Sequence, residues 1–342
     1  MNAMQQMNET FHIAVSCNEC YVPGALVALA GVAAHAKAET FLVFHVFTEN
    51  VKAESIDFMR STLERLHANS KFYQHVCGED LLAGLPYWAG SRMAAVRCHY
   101  ATLMPDVDWC LYLDCDVLYL ASVEEHFSNR DEGVYACVVQ EESAKTRRSE
   151  CLWIREKCGV DIPDEEYFNS GVVLFNLKKM REDGIPLRLV TFFIDHPDVR
   201  SPDQDALNTV LAGHTKRIDP KFNRLQIFLT DEKLKERPVV HYVCGNPWLP
   251  KCGVVANGRF DLWHAFADRF IWMRAGASCS RHFSRRHLLV KHINGWMLRV
   301  PCIGFLYAAL MQFLGKTSDG KAWRWRQVEH DISSRAIRGI FR

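Results

Sequence analysis

No stretch of this chain is long and apolar enough to be read as a membrane-crossing helix. Its longest charge-free run near the end, residues 300–315, stops short of the roughly 20 residues a span needs, and Pro301 interrupts it. Residues 1–10 are polar and lack the apolar core of a secretory leader, so a cytoplasmic location is expected. Internal repeats and low-complexity tracts are missing, which excludes a solenoid. The 13 cysteines are odd in number and scattered, and Cys110, Cys115 and Cys137 sit inside apolar runs. That pattern excludes a disulfide framework and reads as buried, reduced thiol. The single Cys-x-x-Cys, at Cys17 and Cys20, has no second pair to complete a zinc site. Net charge is nearly absent as well, at +1.

What charge there is lies unevenly. From Arg281 to Arg342 the chain has 12 Lys and Arg against three acids, so the residues before it are net acidic. At 342 residues the chain is long enough for a substantial core. We divide it at the composition change: residues 1–275 as the main domain, and residues 276–342 as a basic, partly apolar extension for membrane association or helical packing. In that tail Arg285, Arg286, Lys291 and Arg299 precede the apolar run, and Lys316, Lys321, Arg324 and Arg326 follow it among Trp323 and Trp325. Basic and aromatic residues around a short apolar segment suit the headgroup zone of an anionic membrane, so peripheral attachment to the inner face of the cytoplasmic membrane is expected. The tail joins no recognisable nucleic-acid-binding fold, and no nucleic-acid partner is expected.

The most informative stretch is Trp109-Cys110-Leu111-Tyr112-Leu113-Asp114-Cys115-Asp116-Val117-Leu118-Tyr119-Leu120. It reads as one strand buried on both faces, with two carboxylates set into it. Residues i and i+2 of a strand share a side, which aims Asp114 and Asp116 at one place, about 7 Å apart along the chain. Unpaired carboxylates so placed repel each other and are costly to desolvate. A divalent cation relieves both problems, and hard oxygen ligands suit Mg²⁺ or Mn²⁺ holding a phosphate. The plainer alternative is a pair of strand-end aspartates capping a turn.

The remaining pattern alternates strands and helices. Strands are expected at 11–16, 41–47, 71–76, 133–140, 167–177 and 239–243, and helical stretches at 25–36, 52–67, 91–104, 187–194 and from Ser201 onward. Residues 141–158 read as helix or loop. The order implies an α/β fold with a Rossmann-like, mixed but mostly parallel sheet covered by helices on both faces. Ligands of such sheets bind at the carboxyl ends of strands, where Asn18 and Asp114 fall. Gly171 inside a strand suggests close approach of backbone or ligand.

These blocks together resemble glycosyltransferase family 8, retaining enzymes of the A-type sugar-transferase fold that include bacterial lipopolysaccharide galactosyl- and glucosyltransferases. The resemblance spans about residues 11–250. It rests on Asp114-Cys115-Asp116, on Tyr167-Phe168-Asn169-Ser170-Gly171-Val172 through Asn176-Leu177, on Asp203-Gln204-Asp205, and on His241-Tyr242 with Gly245 and Pro247-Trp248. It implies a uridine-binding loop at Ser16, Asn18 and Tyr21, and donor binding by Arg97, Cys115, Ser170 and Gly245. It implies a metal, Mn²⁺ or Mg²⁺, held by Asp114, Asp116 and His241. Asn169, Asp203 and Gln204 would line the reacting face of the sugar, and Glu141 falls near the family's sugar-contacting acid. The family's closing lysine is replaced by Asn246, which removes a cation from the diphosphate.

The implied activity moves a hexose from a UDP-sugar to a saccharide or glycolipid acceptor, in lipopolysaccharide or other cell-surface glycan synthesis. With a nucleoside diphosphate as leaving group, the metal acts as Lewis acid. No pair of carboxylates stands out with glycosidase-like roles. Gln204 is a poor nucleophile, so front-face attack is favoured, with the Gln204 and Asn169 amide dipoles stabilising developing charge. Two alternatives are weighed. One is a haloacid-dehalogenase-type phosphatase with Asp114 as nucleophile, although Val117-Leu118 follows the motif and no later Gly-Asp motif appears. The other is a catalytically weak nucleotide-sugar-binding protein.

Overall fold

The computed structural model describes residues 9–87, 91–243, 245–248 and 259–272. The basic tail and its apolar run lie outside the described residues. The chain divides into two compact units, residues 1–224 with 238–241, and residues 225–237 with 242–342.

The first unit contains strands β1 (Thr10–Asn18), β2 (Phe41–Glu49), β3 (Ser70–Val76), β4 (Trp109–Leu113), β5 (Val117–Tyr119), β6 (Ala136–Gln140), β7 (Phe168–Asn176) and β8 (Thr215–Arg217). A two-residue β9 (Arg224–Leu225) ends it, and β10 (Val239–His241) returns to it. Seven strands form one sheet in the order β3-β2-β1-β4-β7-β6-β8. All neighbours are parallel except at β7, which runs against both β4 and β6. Every residue of β7 is buried, as befits a central strand, while β3 at the edge is half exposed.

The reversal of β7 has a positional effect. Its first residues lie beside the last residues of β4 and β6: Val172 is opposite Leu113, and Phe168 opposite Gln140. Residues that end two strands and begin a third therefore gather on one edge of the sheet.

Helices flank this mixed, mostly parallel sheet, as expected. Helix Val22–His35 starts with Pro23 in its first turn, where a missing N–H costs no hydrogen bond. At Gly31 a Cβ would sit 2.5 Å from the carbonyl oxygen of Tyr119, so only glycine lets this helix lie against β5. One core joins Tyr112, Val138 and Phe175 of the strands to Leu189, Phe192 and Leu207 of the helices Ile185–Asp195 and Pro202–Val210. Residues 144–158 are helical, with Ser143 Oγ accepting from the Thr146 N–H as N-cap and Gly159 left-handed at the end. Residues 93–99 form a 3₁₀ turn that runs into the short helix Tyr100–Leu103, in place of one long helix over 91–104.

The stretch 109–120 corrects the single-strand reading. It is two strands, β4 and β5, joined by a turn made of Asp114, Cys115 and Asp116. β4 belongs to the seven-stranded sheet; β5 pairs antiparallel with β10, Val117 opposite His241. Both halves are fully buried, so an apolar run spanning two sheets looks like one strand in sequence.

In the second unit, helix Phe260–Ala267 buries Trp263, whose ring lies 6.0 Å from that of Trp248. Tyr242 donates to the Arg259 carbonyl, and Arg259 pairs with Asp231 at 3.2 Å. The nine described cysteines are all free, and seven of them are buried. Among the described residues no helix is long and apolar enough to cross a membrane.

Candidate active site

The turn between β4 and β5 puts Asp114 and Asp116 beside the last residue of β10. His241 Nε2 lies 3.7 Å from Asp114 Oδ2 and 3.3 Å from Asp116 Oδ1. The three ligand atoms lie within 4.8 Å of one another, and among the described residues no other group of three or more His, Cys, Asp and Glu is so arranged. The two carboxylates are partly exposed; the imidazole is buried.

Gly171 makes room for this cluster. A Cβ there would fall 2.1 Å from His241 Cε1 and 2.8 Å from Asp114 Oδ2. Its carbonyl accepts from the Asp114 N–H at 2.7 Å, which fixes the start of the turn. The close approach suggested by a glycine inside a strand is therefore of backbone to the ligand cluster.

Arg97 lies wholly inside. Nη2 donates to Asp114 Oδ1 at 2.6 Å, Nη1 to the Ser170 carbonyl at 2.7 Å, and Nε to the Ala94 carbonyl at 2.8 Å. Nη1 also lies 3.3 Å from Asp203 Oδ2, and the guanidinium stacks 4.0 Å over the Tyr112 ring. Burial opposes the charge of Arg97, but Asp114 and then Asp203 outweigh it and hold its pKa above the ordinary value. The Tyr112 hydroxyl donates to the same Asp114 Oδ1.

The start of β7 is held by side chains from the helix Pro202–Val210. Gln204 Oε1 accepts from the Ser170 N–H at 3.0 Å, and Gln204 Nε2 donates to the Tyr167 hydroxyl at 2.9 Å. Ser170 Oγ donates to Asp203 at 3.1 Å. Asn208 holds Phe168 by both its N–H and its carbonyl, each at 2.9 Å. Tyr167 also reaches Asp205, whose carboxyl is pushed up to about 6, first by burial. Asn169 donates to Glu141 Oε2 at 3.2 Å, and Glu141 is itself buried.

At the end of β1, Ser16 Oγ shares a 2.6 Å hydrogen bond with the Tyr100 hydroxyl, and Cys115 Sγ donates to the Ser16 carbonyl at 3.3 Å. Asn18 Oδ1 accepts from the Cys20 N–H and opens the 3₁₀ turn that ends at Tyr21. Gly245 belongs to the second unit, with φ of 129°. Thus Arg97, Asp114, Asp116, Glu141, Asn169, Ser170, Asp203, Gln204 and His241 form one connected group. Ser16 and Cys115 join its margin.

Sequence reasoning missed Tyr112, Tyr167, Asn208 and Asn223. Tyr112 had a signal, since it shares a strand face with residue 114, but an aromatic in an apolar run reads as core. Asn208 stands one helical turn after Gln204. Asn223, in the short 3₁₀ segment Pro220–Asn223, carried none.

The electrostatics favour a cation. Asp114 and Asp203 share the Arg97 guanidinium, while Asp116 lies against His241. Burial disfavours charge on His241, yet Asp116 and Asp114 overcome this and raise its pKa. Two carboxylate oxygens and one imidazole nitrogen form a donor set of the kind Mn²⁺ and Mg²⁺ accept.

The glycosyl transferase family 8 model matches residues 12–252, most of the chain and all of this site's ligands. The chain belongs to glycosyltransferase family 8. Within the family it is 26% identical to a lipopolysaccharide 1,2-glucosyltransferase of Escherichia coli, over 63% of this chain and 62% of that protein. It is 27% identical to a lipopolysaccharide 1,3-galactosyltransferase of Salmonella typhimurium, over 70% of this chain and 73% of that one. The chain thus spans about three fifths of the Escherichia coli relative's length. Its fold matches that of the galactosyltransferase LgtC, solved with donor and acceptor sugar analogues, with a TM-score of 0.59 and 25% identity over 75% of this chain and 95% of that one.

Proposed function

We propose that this family 8 protein is a retaining, metal-dependent hexosyltransferase. It would move a hexose from a UDP-sugar to a saccharide or glycolipid acceptor in lipopolysaccharide or other cell-surface glycan synthesis. The observation that carries the reading is the Asp114–Asp116–His241 cluster, joined through Arg97 and Ser170 to Asp203 and Gln204. The names of the lipopolysaccharide relatives support the acceptor class.

Asp114, Asp116 and His241 would hold Mn²⁺ or Mg²⁺, which when bound supplies a Lewis acid to the departing diphosphate. Ser16, Asn18 and Tyr21, at the end of β1, would take the uridine. Arg97 positions Asp114 and Asp203 from inside. Asp203 and Glu141 accept hydroxyl protons of the sugar, and Asn169 and Gln204 place amide dipoles beside its anomeric carbon. Burial around these groups keeps bulk water out, which favours transfer over hydrolysis. Transfer is assigned to residues 1–275, and attachment to an anionic membrane surface to residues 276–342.

The phosphatase reading loses its support. Asp114 would be the nucleophile, but its Oδ1 is engaged by Arg97 and Tyr112, and the chain belongs to a transferase family.

The deciding experiment incubates UDP-hexoses with acceptor glycans and Mn²⁺. Metal-dependent release of UDP, an α-linked product from an α-linked donor by nuclear magnetic resonance, and loss of both in Asp114→Ala are expected. Full activity of Asp114→Ala in chelator would refute the metal assignment. An inverted anomeric configuration would refute retention.

A further inference from the structure

Asn223 touches two parts of the site at once. Its Nδ2 donates to Asn169 Oδ1 at 2.9 Å and reaches the Asn169 carbonyl at 3.3 Å. Its Oδ1 lies 3.1 Å from His241 Nδ1. It is buried, as are Asn169 and His241, so water does not substitute for these bonds.

The direction of each bond in this chain is forced. The Gly171 backbone N–H is a donor and nothing else, and it points to Asn169 Oδ1 at 3.1 Å. The Glu141 carboxylate accepts from Asn169 Nδ2 on the other side. These two partners fix which end of the Asn169 amide is oxygen. Asn169 therefore presents oxygen, both side-chain and main-chain, to Asn223, and Asn223 must offer it Nδ2. The amide of Asn223 then has its oxygen left for His241. An oxygen acceptor at 3.1 Å requires the proton of His241 on Nδ1. In the neutral ring Nε2 then holds the lone pair, on the side facing Asp114 and Asp116.

We propose that Asn223 is a positioning residue that locks His241 as its Nδ1–H tautomer and thereby turns Nε2 into a metal ligand. The polarity is set at the Gly171 backbone and passed along two side-chain amides to the imidazole. The same amide holds Asn169, so the ligand cluster and the expected sugar-facing residue share one support. This inference rests on the metal assignment above. It adds a residue that lies outside the Asp114–Asp116, Tyr167–Leu177, Asp203–Asp205 and His241–Trp248 blocks.

The test measures Mn²⁺ binding to the full chain by electron paramagnetic resonance of the free ion, with circular dichroism as the check on folding. Losing such an outer partner of a ligating histidine weakens metal binding by about 10- to 100-fold. Asn223→Ala should show that loss. Asn223→Asp keeps an acceptor for Nδ1–H but turns its other oxygen toward the Asn169 oxygens, so it should lose less Mn²⁺ affinity than Asn223→Ala. The effect of Asn223→Ala should disappear in a His241→Ala background, because the residue acts through that ring. The inference is overturned by wild-type affinity in Asn223→Ala, by an Asn223→Asp variant as weak as the alanine, or by an equal loss without His241. Where Asn223→Ala does not fold, the ¹⁵N chemical shifts of the His241 ring in the wild-type protein decide, and a proton on Nε2 with Nδ1 bare overturns the inference. Wild-type protein that binds no Mn²⁺ would instead bring down the metal assignment itself, and this inference with it.

Discussion

Arg97 holds Asp114 by a single oxygen: Nη2 donates to Oδ1 at 2.6 Å, leaving Oδ2 to face His241 at 3.7 Å. Asp114 is thereby oriented before any cation arrives, and its second oxygen is the one offered. The same guanidinium steadies Asp203 on the helix Pro202–Val210. Arg97 is thus a shared strut between the ligand turn and the sugar-facing helix.

Removing this strut is expected to be costly. Arg97→Met would leave the buried Asp203 and the partly exposed Asp114 without their partner, a loss of about 3 kcal/mol. Arg97→Lys keeps the charge but cannot span Asp114, Asp203 and the Ser170 carbonyl from one plane, so it should lose activity with a smaller loss of stability. Urea unfolding and UDP-release assays check both. An unchanged midpoint in the methionine variant would show that the pairs contribute nothing.

Gly171→Ala places a methyl group inside the ligand cluster. Overpacking of this kind costs about 1–3 kcal/mol. Here the displaced atoms include His241 and Asp114, so Mn²⁺ binding should fall much further than stability. Paired titration and thermal unfolding measure the two. Wild-type Mn²⁺ affinity in this variant would contradict the described approach.

Acid should destabilise the fold through histidines outside the site. Burial lowers the pKa of His126 to about 3, and burial with the neighbouring His12 and His75 lowers that of His45 to about 3. Both rings stay neutral in the folded chain while the unfolded chain takes up protons near 6.5. Their stabilisation is therefore complete above about 6.5 and falls as pH drops from there toward about 3, by up to about 1.4 kcal/mol per pH unit for each ring. Asp205, at about 6, works the other way between about 6 and 4, because its folded form keeps the proton longer. The net expectation is a loss of stability below about pH 6.5, made shallower in His126→Phe. Unfolding midpoints measured across that range test it. Identical pH slopes in both proteins would exclude His126 as a contributor.

The basic end of the chain gives a prediction that rests on sequence. Each Lys or Arg close to an anionic bilayer adds about 1 kcal/mol. The full chain should sediment with anionic vesicles at low salt, and a chain ending near Ser280 should stay in solution. Equal partition of the two would assign the tail a structural role.

Much of the fold was legible because β1, β2 and the helix Val22–His35 are nearly continuous apolar segments of the right lengths. The ligand pair was legible because carboxylates interrupt a core run. The turn that contains them was not, because Leu113 and Val117 are equally buried in different sheets. Asn18 ends β1 and Tyr21 ends the 3₁₀ turn after it, so the strand runs two residues beyond the end expected at residue 16. Asn223 was not legible, since its importance lies in contacts to residues 54 positions earlier and 18 later.

The reversed strand β7 also sets a problem for the chain while it is being made. Ribosomes deliver β4 and β6 before the strand that lies between them, so each waits with an open edge, and an open edge invites pairing with another chain. Asp114 and Asp116 wait longer, because His241 is translated after every strand of the large sheet. A nascent chain released before residue 241 would therefore carry a finished sheet and a naked acidic turn. The last residue of β10 completes the ligand set of a site whose first parts were built more than a hundred residues earlier.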